Sequence, residues 1–139
     1  MVHSLVYVSS ASELFDRSEL DDILAVSRRN NAAAGVTGML LYKDGNLMQV
    51  LEGDEPAVRA TYTRISVDRR HSGLIVLLDE TAEQREFGDW TMAFRDLESA
   101  EVGEVPGYSE FLNTPLDSHE LVADPSRARL LLRTFKRSM

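Results

Sequence analysis

The sequence predicts an α+β domain: one mixed sheet of five strands, two helices on one of its faces, and a helical C-terminal segment on the other. Three observations carry this. Strand-like runs rich in β-branched and aromatic residues alternate with stretches of helical spacing in the order β-α-β-β-α-β-β. An Asp-Gly pair joins the second and third strand candidates. The composition changes after Leu97, where an acidic stretch is followed by proline and glycine breaks and then a basic, leucine-rich end.

The first strand is Val2–Ser9, with Leu5, Tyr7 and Ser9 on one face and Val6 and Val8 on the other. Asp16 caps the first helix, and Glu19 stands three residues later as in a capping box. Positions at Leu20, Ile23, Leu24 and Ser27, at helical spacing, carry that helix from about Arg17 to Ala33, and Gly35 stops it. Val36–Tyr42 and Asn46–Leu51 form a hairpin around Lys43-Asp44-Gly45. Asp54 and Pro56 open a second helix with Val58, Tyr62 and Ile65 as its stripe, ending near Arg70. Leu74–Asp79 is nearly all apolar and reads as a buried central strand. Trp90–Arg95 is the fifth strand, with Trp90 and Met92 sharing a face. This order is the split-βαβ, ferredoxin-like pattern, βαββαββ. It leaves one sheet face open, and residues 98–139, with a last helix opened by Asp124-Pro125, are its natural cover. Residues 1–97 and 98–139 thus form a domain and its extension.

Composition narrows the function. The chain has 139 residues, is 43% hydrophobic and 27% charged, and contains no cysteine, which excludes thiol chemistry, disulfides and cysteine-based zinc sites. Its three histidines, His3, His71 and His119, are too scattered for a metal cluster. The net charge of −8 argues against nucleic-acid binding. No apolar run approaches about 18 residues, so a membrane span is not expected. Met1–Ser10 lacks the features of a signal peptide, and a cytoplasmic protein is the expectation. There is no glycine-rich phosphate loop, no serine-nucleophile motif and no carboxylate pair in an acid–base arrangement, so an enzyme is not expected.

Gln49 does not fit a plain core. It is the one polar residue in Leu47-Met48-Gln49-Val50-Leu51, and alternation puts it on a face with Leu47 and Leu51. A buried amide without partners costs about 1–3 kcal/mol, so something must satisfy it. An amide carries both an acceptor and a donor, and turning it over exchanges them at almost constant shape. Gln49 is either a structural glutamine bonded to its surroundings or a two-state element, and the pattern alone favours the former. Tyr7 is either an ordinary core tyrosine or the partner of that amide. Asn30 and Asn31 are helix-end residues or ligand-facing amides. Arg64 and Asp68, four apart, form a surface ion pair or a polar clamp.

Together these residues match a family. Across Val2 to Leu97 the sequence resembles BLUF domains, sensors of blue light using flavin. The resemblance rests on Leu5-Val6-Tyr7-Val8-Ser9-Ser10, on Ser27-Arg28-Arg29-Asn30-Asn31 running into Gly35-Val36-Thr37-Gly38, and on Gln49-Val50-Leu51-Glu52-Gly53. It continues in Arg64-Ile65, Asp68-Arg69-Arg70-His71 and Asp89-Trp90-Thr91-Met92. It implies a flavin, usually FAD with FMN or riboflavin as alternatives, held non-covalently between the two helices. Tyr7 matches the tyrosine that donates an electron and proton to the excited flavin, and Gln49 the glutamine bridging that tyrosine and the ring. Asn31 matches the asparagine on the pyrimidine edge. Asn30, Arg64 and Asp68 match the surrounding polar binders, Ile23 and Ile65 the apolar flanks, and Trp90 and Met92 the pair that competes for the place beside Gln49. Leu47 departs from the pattern, since many members carry an aromatic residue there.

The resemblance also implies a photoreceptor that assembles as a homo-oligomer and signals to a separate partner. A flavin-dependent redox enzyme and a structural ferredoxin-like binding module are the alternatives.

Overall fold

The computed structural model describes residues 1–13, 16–43, 45–88, 91–96 and 132. The elements follow as β1 (Val2–Ala11), α1 (Arg17–Ala34), β2 (Thr37–Lys43), β3 (Asn46–Gly53), α2 (Glu55–Ser66), β4 (His71–Ala82) and β5 (Ala93–Asp96). The strand order is β4-β1-β3-β2-β5. The first four are antiparallel neighbours, and the four-residue β5 lies parallel to β2 at the sheet edge. The α+β class and the two helices agree with the sequence.

Local chemistry explains the boundaries. The Asp16 side chain accepts the Glu19 backbone N–H at 2.8 Å, so α1 starts there. Gly35 ends it at φ 71°, a left-handed conformation that disfavours a Cβ. The Val36 N–H returns to the Asn31 carbonyl at 2.9 Å, which fixes Asn31 in the last turn. Lys43 pairs with Asn46 across the hairpin.

The two sides of the sheet are distinct. Leu5, Tyr7, Leu40 and Leu51 cluster with Leu20 and Leu24 of α1 and Val58 of α2. Both helices therefore lie against one face. The alternate residues Val6, Val8, Met39, Leu41, Met48 and Val50 are buried as well, facing the other way. Leu132 is 2% exposed and shares a cavity on that side with Val6, Val50 and Phe87. The rest of the expected C-terminal helix, and the division between residues 97 and 98, lie outside the described residues.

Three expectations need correction. The run Leu74–Asp79 is not a buried central strand: β4 is an edge strand of the described sheet, and of its residues only Leu77 is buried. An apolar run reports that a strand has something to cover, not how many neighbours it has. Asp54 is the N-cap of α2 as expected, though its side chain makes no cap bond, and Pro56 sits in the first turn. The helix ends at Ser66 rather than Arg70, so Asp68 lies beyond it and Arg64 and Asp68 do not form an i,i+4 pair. The fifth strand begins at Ala93, so Met92 precedes it instead of lying within it.

The ends of β1 and β4 are tied to α2 by charge. His3 Nε2 meets Asp79 Oδ1 at 2.5 Å, and Arg59 holds both Asp79 oxygens at 3.1 and 3.2 Å. Among the described residues no group of three or more His, Asp or Glu side chains is arranged to hold a metal ion, and no helix is long and apolar enough to cross a membrane.

Candidate functional site

A groove runs between α1 and α2, floored by the helix-facing side of β1, β2 and β3. It consists of two adjoining clefts of about 530 and 600 Å³, counting the space that opens to solvent. Both are bounded by Ile23, Ser27, Gln49, Ile65, Asp68 and Arg70, so they form one continuous space. Helical spacing supplies its walls. Ile23, Ser27 and Asn31 are successive i,i+4 positions on α1, with Asn30 beside them, while Thr61, Arg64 and Ile65 share a face of α2. Leu40 and Leu47 add apolar floor. Leu47, the departure from the family pattern, is 7% exposed and lies beside the groove's polar end.

At that end β1 and β3 place Tyr7 and Gln49 directly opposite each other. The Tyr7 hydroxyl donates to Gln49 Oε1. The Nε2 of the same amide donates to Met92 Sδ at 3.3 Å. Gln49 is 4% exposed and Tyr7 2% exposed, so this chain of contacts is sealed from solvent. Burial raises the Tyr7 phenol above its ordinary value, with Tyr62 and Asp68 adding to the effect, so the hydroxyl keeps its proton and is a permanent donor at rest. The Tyr62 ring stands edge-on to Tyr7 at 5.5 Å.

The segment carrying Met92 is held from α1. Asn31 Nδ2 donates to the Thr91 carbonyl at 2.8 Å, and Arg28 Nε to the Met92 carbonyl at 2.9 Å. Gly38 makes room: a Cβ there would stand 1.9 Å from the Val50 carbonyl oxygen and 3.4 Å from Met92 Cε.

Comparison with known proteins agrees with this geometry. The family model described as sensors of blue-light using FAD matches residues 2–93, two thirds of the chain. The chain belongs to the BLUF family. It is 31% identical over 105 residues to the blue light- and temperature-regulated antirepressor BluF of Escherichia coli K12, covering 76% of this chain and 26% of that protein. It is 33% identical over 90 residues to the photoactivated adenylate cyclase subunit beta of Euglena gracilis, covering 64% of this chain and 10% of the subunit. The chain thus spans only about a quarter or a tenth of these relatives. Over nearly its whole length it resembles the dark-state structure of the BLUF protein BlrB, with a TM-score of 0.82, 27% identity and coverage of 99% and 97%. The photo-activated state of BlsA gives a TM-score of 0.78 at 25% identity, covering 96% of this chain and 93% of that one.

The expected BLUF residues converge on the groove. Ile23, Asn30, Asn31, Gln49, Arg64, Ile65 and Asp68 all line it, and Tyr7 forms part of its floor. Met92 stands beside Gln49; Trp90 lies outside the described residues. Asp68 differs in detail from the expected clamp. Arg70, not Arg64, grips it, with bonds to both oxygens, and this holds its carboxyl below the usual carboxylate range. Sequence reasoning did not single out Ser27, Thr61 or Arg70 as groove residues. Ser27 was findable as the i+4 neighbour of both Ile23 and Asn31. Thr61 bonds the Ala57 carbonyl at 2.8 Å, and this self-satisfaction within α2 gave no pattern to detect.

Proposed function

We propose that the groove binds the isoalloxazine ring of a flavin, with FAD as the ligand, and that light changes the bonding of the Gln49 amide. The donor set fits such a ring. One part of the groove's lining is apolar, with Ile23, Ile65, Leu40 and Leu47, and suits the dimethylbenzene portion of the ring. The other carries the buried amides of Gln49 and Asn31, which suit a heterocyclic edge of alternating carbonyls and ring nitrogens. Thr91 takes the Nδ2 of Asn31 among the described residues, and we assign Oδ1 as the acceptor for a ring N–H. Asn30, Arg64 and Asp68 stand along the rim, where a polar tail would leave. The bound flavin supplies absorption of blue light.

The observation that carries this reading is the buried run from Tyr7 through Gln49 to Met92. Its polarity has a direction: Tyr7 donates to Oε1, and Nε2 donates to sulfur. Rotating the amide by half a turn brings Nε2 to the Tyr7 oxygen and Oε1 to Met92. The shape is unchanged, but the rotated amide gives up its bond to sulfur and faces the thioether with an acceptor. Such an exchange biases whatever the Met92 segment touches. Tyr7 and Gln49 are the switching pair, Met92 their resting partner, and Trp90 its competitor for that place.

We also propose that the chain acts in the cytoplasm as a homo-oligomer and passes its state to a separate protein, without turning over a substrate. Its relatives, an antirepressor and a cyclase subunit, support a division between sensor and output. The test is direct. Protein purified with flavin is denatured and the released cofactor identified by chromatography; particle size is then measured in the dark and under blue light. FAD in the released fraction and a light-dependent change of size support the reading. A colourless protein after flavin supplementation overturns the binding claim.

A further inference from the structure

Glu52 is a carboxylate buried to 2% exposure on the sheet face away from the groove. Its Oε2 accepts the Glu86 backbone N–H at 2.9 Å and its Oε1 the Phe87 backbone N–H at 2.7 Å. Arg85, just before them, donates to the Gly35 carbonyl at 2.8 Å and to Thr37 Oγ1 at 3.0 Å. The described ends of the stretch leading to Met92, residues 85–87 and 91–92, are therefore pinned on opposite sides of the sheet. On the outer side Glu52 and Arg85 hold its start. On the groove side Arg28, Asn31 and Gln49 hold Thr91 and Met92.

Both grips come from β3, since Gln49 and Glu52 are three residues apart on one strand. We propose that Glu52 is the positioning residue that sets Met92 against Gln49, and that it connects the groove to the outer sheet face. Met92 is the fifth residue after Phe87, and five residues span at most about 18 Å, so an anchor at Phe87 limits where the sulfur reaches. A carboxylate is required rather than an amide. Two consecutive N–H groups need two acceptors, and a glutamine would turn a donor toward one of them. Phe87, 2% exposed, shares the outer cavity with Leu132, so a shift of the segment is felt there as well. The photoreceptor reading gives this anchor its use, but its existence is tested without light.

The experiment uses the full chain in the dark, labelled at methionine methyl carbons, with Met92 assigned through Met92→Leu. In Glu52→Gln, amide exchange at Glu86 or Phe87 rises about tenfold, as expected for one lost charge-assisted bond, and the Met92 methyl resonance shifts. Val8→Ala, a cavity at a buried residue that does not line the space shared by Glu52 and Phe87, lowers the melting temperature but changes neither signal. If Glu52→Gln does not fold, Glu52→Asp, which keeps the charge and shortens the reach, is read the same way. A Met92 resonance that stays in place in the Glu52 variant, or that moves equally in Val8→Ala, overturns the proposal. Failure to bind flavin would sink the photoreceptor reading and leave this result standing.

Discussion

Tyr7 and Gln49 face each other across the β1–β3 ladder, and the buried Tyr7 hydroxyl donates to the Gln49 carbonyl oxygen while the other half of that amide is spent on Met92. Among the described residues, Tyr7 Oη and both atoms of the Gln49 amide are each engaged in this run. Removing any member therefore strands another, and the consequences can be read as stability and as light response.

Tyr7→Phe removes the donor and leaves Gln49 Oε1 buried without a partner. It costs about 1–3 kcal/mol in urea unfolding. Gln49→Leu strands the Tyr7 hydroxyl and costs a similar amount. The double variant leaves nothing stranded, so its loss falls short of the sum by about 1 kcal/mol or more. Additive losses would mean that the two side chains are not coupled.

Gly38→Ala is more damaging than an ordinary small-to-large change. Its Cβ would stand 1.9 Å from the Val50 carbonyl oxygen, which is backbone and committed to the sheet. We expect a loss of at least about 3 kcal/mol by urea unfolding. A loss within the ordinary surface range would show that β2 and β3 separate more easily than their pairing implies.

Acid stability depends on two carboxyls of opposite sign. Arg70 lowers the Asp68 carboxyl, chiefly by direct hydrogen bonding. Its contribution is complete above the ordinary value of 3.8 and is lost as pH falls below it. Burial, outweighing the bonds from Glu86 and Phe87, raises Glu52. Its contribution is complete below the ordinary value of 4.5 and is lost as pH rises above it, because the folded chain then binds more protons than the unfolded one. The stability of wild type relative to Glu52→Gln should therefore fall as pH rises from that value. A difference that does not vary with pH would mean that Glu52 titrates as it does in the unfolded chain.

Met92→Leu keeps the volume and removes the sulfur acceptor, leaving Gln49 Nε2 without its resting partner. Flavin binding is retained and the thermal decay of the lit state changes rate, measured by absorption after a light pulse. An unchanged decay would place Met92 outside the switch.

Much of this was legible in the chain. A period of two identifies Gln49 as facing Leu47 and Leu51, and a lone amide there demands a partner. Tyr7, two strand residues from Leu5 and Ser9 on the same face, was a candidate for the same reason. What was not legible depends on tertiary pairing. The apolar run of β4 fits an edge strand with one covered flank as well as a central one. The end of α2 at Ser66 depends on a turn in which Asp68 bonds Arg70, two residues on, and helical spacing does not anticipate it. The approach of Met92 to Gln49 depends on the Gly38 gap and on grips from Arg28 and Asn31, each sixty or more residues away along the chain. Glu52 looked like one more acidic residue, and only the fold reveals two backbone N–H groups at its oxygens.

The central claim is that light acts through the Gln49 amide. The measurement that tests it is the light-minus-dark absorption difference of flavin-loaded wild type and Gln49→Leu, recorded side by side. The account predicts a reversible red shift of the flavin band in wild type and its absence in Gln49→Leu, with equal flavin content in both. A red shift that survives in Gln49→Leu, or a wild-type spectrum that blue light leaves unchanged, would contradict it.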